Sequence, residues 1–71
     1  MAYEIWETST RNLIADFPSE EKALHAVRKA LKKRGAGYVS TWLLAYEDEN
    51  EATSKLAAGM DLVARARMAG G

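Results

Sequence analysis

The hydrophobic pattern changes period at Pro18 and Ser19, and this change restricts the chain to folds that combine strands with a helix. Downstream, Ala23, Leu24, Val27, Ala30 and Leu31 fall within an apolar arc of about 120° at 100° per residue, the width of a helix lying on a core. Ser19 is a good N-cap, and Glu20 and Glu21 occupy the first turn, where carboxylates favour the helix dipole. Lys32, Lys33 and Arg34 occupy the last turn, where cations belong, and Gly35 supplies the stop.

Upstream, the side chains from Ala2 to Glu7 alternate, with Tyr3 and Ile5 on one face and Glu4 and Trp6 on the other. A second short strand is expected over about Asn12 to Phe17. Thr8 to Arg11 connects the two as a hairpin, with Asn12 tolerating the left-handed conformation that closes it. The expected register sets Trp6 opposite Ile14 and Tyr3 opposite Phe17, since directly opposed residues share a face. After the helix, Gly35, Ala36 and Gly37 form a corner before a long strand from Tyr38 to about Glu47, rich in aromatic and β-branched residues. Asp48, Glu49 and Asn50 read as a turn, and 51–58 as a fourth strand. Met60 to Ala69 has helical spacing, with Asp61 and Arg65 paired at i, i+4 and a frayed end at Gly70 and Gly71. The fold class is thus α+β: a small antiparallel sheet in the order ββαββα, one main amphipathic helix and a short C-terminal helix, in a single domain over 1–71. The alternative is ββαβα, in which one long helix runs from about Glu51 to Ala69 and carries Gly59 at a cost of about 1 kcal/mol relative to Ala.

A domain of 71 residues buries only about 60% of the surface of its unfolded chain, so its core is thin. Cysteine is absent, which excludes disulfides and thiolate metal sites and leaves packing or a partner to supply stability. A composition 48% hydrophobic is too apolar for a disordered chain. No apolar run approaches the roughly 20 residues that cross a bilayer, and MAYEIWETS has neither the basic segment nor the apolar stretch of a signal peptide, so a cytoplasmic location without membrane contact is expected. Ten basic against ten acidic residues create no global field for nucleic acid.

The chemistry-bearing residues do not assemble into a catalytic pattern. His25 is the only histidine, on the solvated side of the helix one turn after Glu21, and reads as a surface residue. Ser9, Ser19, Ser40 and Ser54 lack a glycine-framed elbow, and a chain this short has little volume for a pocket of about 300 Å³. Glu47, Asp48, Glu49 and Glu51 surround Asn50 without the alternation or central glycine of a calcium loop, as in a solvated hairpin tip. Gly35 and Gly37 follow a helix and so do not form a phosphate-cradling loop. The expectation is a protein that is not an enzyme, with no cofactor, no metal and no catalytic residue. Lys22, Arg28, Lys29, Lys32, Lys33 and Arg34 do concentrate cations on the helix with no acid among them. Arg28, Lys29, Lys32 and Lys33 are the candidate contacts to phosphate or to an acidic partner.

The strands carry more apolar residues than one buried face requires. By parity Tyr3, Ile5, Leu13, Ala15, Phe17, Val39, Leu43 and Ala45 form one set, and Trp6, Ile14, Trp42, Leu44, Tyr46 and Leu56 the other. A sheet with one wet face should alternate cleanly. The excess marks Trp6, Ile14, Trp42, Leu44 and Tyr46 as interface candidates for a homodimer or a protein partner.

The stretch YEIWETSTRNLIADFPSEEKALHAVRKALKK, from Tyr3 to Lys33, resembles short uncharacterised bacterial proteins in which an IW-type strand and an NL-type strand precede an EEAL-type helix. It is also similar to the start of HicB-type antitoxins, where a hairpin leads into such a helix. That pattern has a further short strand and a proline-glycine-cysteine element before the helix, whereas here Phe17 and Pro18 run directly into Ser19. No functional residue carries over from either resemblance. The leading expectation is an uncharacterised interaction or regulatory module that assembles with itself or a protein partner through an apolar sheet face. The alternative is a nucleic-acid-associated or antitoxin-type regulator using the basic face of helix 22–34.

Overall fold

Seven elements follow one another along residues 2–69, which the computed structural model describes; the Gly70–Gly71 end lies outside the described residues. They are β1 (Ala2–Glu7), β2 (Asn12–Phe17), α1 (Glu20–Arg34), α2 (Ala36–Val39), β3 (Trp42–Glu47), β4 (Thr53–Ala58) and α3 (Gly59–Ala69). The strands form one antiparallel sheet in the order β2-β1-β3-β4. This is an α+β fold with the expected ββαββα order, to which a single helical turn, α2, is added.

Helix α1 starts and stops where its caps dictate. Ser19 Oγ accepts the Lys22 N–H at 3.2 Å, and the Gly35 N–H donates to the Leu31 carbonyl at 2.8 Å. Gly35, at φ 84°, then turns the chain out of the helix axis. The strand expected from Tyr38 instead begins at Trp42. The Ser40 N–H and Oγ both bond the Gly37 carbonyl, at 3.3 and 2.7 Å, closing one turn that buries Val39 completely. Burial of one side chain outweighs the strand propensity of its neighbours.

The continuous C-terminal helix does not form. Gly59 has φ 57°, a left-handed conformation that breaks the strand from the helix, and a Cβ there would stand 3.2 Å from the Ser40 carbonyl oxygen. Helix α3 buries Leu62, Val63 and Ala66 and packs against α1. Arg65, expected to pair with Asp61, donates instead to Glu20 on α1.

In the first hairpin the left-handed residue is Arg11, at φ 60°, in place of Asn12. Tyr3 does lie opposite Phe17, but Trp6 lies opposite Leu13 because the register shifts between Ile5 and Trp6 and leaves Ile14 as the extra residue of a bulge. The decisive register is that of β1 on β3, where Tyr3 pairs with Tyr46, Ile5 with Leu44 and Glu7 with Trp42. These share the face that carries α1 and α3, and Ile5, Trp42, Leu44 and Ala57 join Ala23, Leu24, Val27 and Leu62 in the core.

Candidate interaction surface

Among the described residues, no helix lies on the opposite face of the sheet. The thinnest dimension of the molecule is 17 Å, and a helix with its side chains is about 10–12 Å across, which leaves room for one helical layer on one sheet. Register sets two rows across this open face. One runs Leu13, Trp6, Leu43, Ala58 from β2 to β4; the other runs Asp16, Glu4, Ala45, Lys55. Leu13 is 46% exposed, Trp6, Leu43 and Ala58 are half-buried, and Ala45 lies covered between its neighbours. The Trp6 indole N–H donates to Glu4 Oε1 at 3.1 Å, so the ring is held near the sheet by the charged row beside it. The apolar row lies toward one end of the strands, and the charged row crosses nearer their middle.

The five residues expected to share one interface are therefore divided. Trp6 is on the open face. Trp42 and Leu44 are core residues, at 9% and 0% exposure, and Tyr46 is half-buried on the same helix-covered side with its ring 4.9 Å from that of Tyr3. Ile14, exposed by its bulge, lines a groove of about 470 Å³ with Glu7, Asn12, Tyr38 and Trp42. Leu13, Leu43 and Ala45, grouped by parity with Tyr3 and Ile5, face the other way. Alternation holds within β1 and β3, but in β2 the bulge at Ile14 separates Leu13 from Ala15 and Phe17, and the matching between strands differs because one residue of register exchanges the faces.

On α1, Lys29, Lys32 and Lys33 are exposed and Arg28 is half-buried. A groove of about 520 Å³ runs beside Phe17, Lys22, His25, Arg28 and Lys29, with Glu21 at its rim. His25 Nδ1 lies 3.2 Å from the Arg28 guanidinium, so its hydrogen-bond partner is Arg28 and not Glu21. The Arg28 Nε–H is buried with no hydrogen-bond partner among the described residues.

The acidic tip is a turn held by its own side chain. The Asp48 carboxylate accepts the N–H groups of Asn50 and Ala52 at 2.9 and 3.0 Å, and Glu51 adopts φ 64°. Among the described residues no group of three or more acidic or histidine side chains is placed to hold a metal ion. No helix among them is long and apolar enough to cross a membrane.

Fold and surface together define a two-layer α+β protein with one helix-covered and one open sheet face. Comparison with protein-family models, with curated proteins and with solved structures found no match to the chain.

Proposed function

We propose that this chain is a small, non-enzymatic interaction module that binds a protein partner through its open sheet face. The observation that carries the reading is the apolar row Leu13, Trp6, Leu43, Ala58 on a face with no helix against it. An aromatic and two leucines side by side, bordered by the charged row of Glu4, Asp16 and Lys55, give an apolar patch with a polar flank, as recognition surfaces have. Four strands at about 4.8 Å spacing and six residues at about 3.3 Å give roughly 400 Å² of flat sheet per copy, so the contact is small and reversible.

A photocrosslinking amino acid at Leu13, introduced into the full chain in its native cells, tests this. It should join the chain to another polypeptide, while the same group at Lys29 should not. No adduct at Leu13 would remove the proposal.

The groove beside Arg28 favours a second reading, an antitoxin-type or other nucleic-acid-associated regulator contacting phosphate through Arg28, Lys29, Lys32 and Lys33. Binding of labelled duplex or single-stranded nucleic acid should then fall steeply with salt and on replacing the three lysines by Glu. No binding at low salt ends that reading.

A further inference from the structure

We infer that the occupant of the open face is a second copy of this chain, docked about a two-fold axis that lies in the interface, parallel to the strands and between β1 and β3. The inference rests on the open face being an interface and adds the partner and its orientation.

Such an axis reverses strand order across the contact, so that β2 meets β4 of the second copy and β1 meets its β3. Both rows then complement themselves. In the charged row, Asp16 stands against Lys55 of the second copy, twice by symmetry. In the apolar row, Trp6 stands on Leu43 and Leu13 on the small Ala58. Large residues meet smaller ones and acid meets base, as an isologous interface requires. The strands of the two sheets run nearly aligned, the common geometry of face-to-face sheet packing.

Other two-fold arrangements fit less well. An axis across the strands along the charged row sets Asp16 against Asp16 and Glu4 against Glu4. Moved to the apolar row, which lies near one end of the strands, it overlaps only part of each sheet.

A charge conflict within one copy points the same way. Glu4 and Asp16 are direct cross-strand partners on the open face, and like charges so placed repel. Only at the far edge of that row does a cation stand, Lys55 on β4. The two-fold brings the Lys55 of the second copy over Asp16, beside Glu4. A formal net charge of zero adds no overall repulsion between copies.

The test is a charge exchange read by sedimentation velocity from micromolar to millimolar chain, with circular dichroism to confirm folding. Wild type should pass reversibly from monomer to dimer. D16K and K55E, each alone, juxtapose like charges twice and should weaken dimerisation about tenfold or more. An equimolar mixture of D16K and K55E should form heterodimer at wild-type strength, as should the double variant with itself. A mixture that fails to pair while wild type dimerises overturns the orientation. A wild-type chain that stays monomeric to millimolar overturns self-pairing. If the Leu13 crosslink then captures a different polypeptide, the interaction reading stands and only the choice of partner fails.

Discussion

The Thr41 hydroxyl donates to Glu7 Oε2 at 2.6 Å, tying the end of β1 to the turn residue just before β3. The other carboxylate oxygen of Glu7 accepts from Ser9 Oγ at 2.6 Å and from the N–H groups of Ser9 and Thr10. One side chain thus closes the first hairpin and fastens it to the central strand pair. The hydroxyls of Ser9 and Thr41, followed by the backbone donors, lower its pKa from 4.5 to about 2.

A pH dependence of stability follows. Because the folded pKa is depressed, the contribution of Glu7 is fully present above about pH 4.5 and is lost as pH falls toward about 2. In thermal melts, E7Q should be less stable than wild type at pH 7, and the difference should shrink across that window. An unchanged difference at pH 2 would contradict the assignment.

The ion pair between Arg65 Nε and Glu20 Oε2, at 2.6 Å, joins the start of α1 to α3, but both side chains are partly exposed. Solvent screening limits such a pair to about 0–1 kcal/mol. A double-mutant cycle of E20Q and R65Q in urea unfolding should give a coupling of this size, which shrinks at high salt. Docking of α3 should persist in both variants, since Leu62, Val63 and Ala66 supply its buried contact.

The two faces of the sheet should respond differently to truncation. Leu44→Ala removes a fully buried side chain at the centre of the core and should cost about 2–5 kcal/mol in urea unfolding. Leu13→Ala, on the open face, should change monomer stability by less than about 1 kcal/mol while weakening association through that face in sedimentation. Equal costs would mean that the faces are assigned wrongly.

Gly59→Ala should destabilise the chain by about 1–2 kcal/mol, the cost of a left-handed residue with a side chain, with a further penalty from the Ser40 carbonyl. Ala69→Gly, at the exposed end of the same helix, provides the comparison and should have a smaller effect. A neutral Gly59→Ala in thermal unfolding would remove the reason given for the break between β4 and α3.

Much of the architecture is legible in local patterns. The Ser19 cap, the Gly35 stop and the arc through Leu24 and Val27 mark α1, and strand alternation marks both hairpins. Where local patterns mislead, a tertiary contact is responsible. Val39 enters a helical turn because the core accepts it there, and Arg65 turns from Asp61 to Glu20 because α3 lies against α1. The open face shows the same limit: Trp6 and Trp42 alternate correctly within their own strands, yet lie on opposite sides of the sheet.

By itself the sequence determined the order of the four strands and two longer helices, the caps of α1 and the division of β1 and β3 into two sets, because these depend on neighbours within a few residues along the chain. Which sets join across strands was decided only in the tertiary structure. It follows from pairing Ile5 with Leu44 and from the bulge at Ile14, contacts between segments distant in sequence. Side chains repeat every two residues, so a shift of one residue in register exchanges core and surface. That shift buries Trp42 under the helices and leaves Trp6, with Leu13 and Leu43, on the face that a partner can reach.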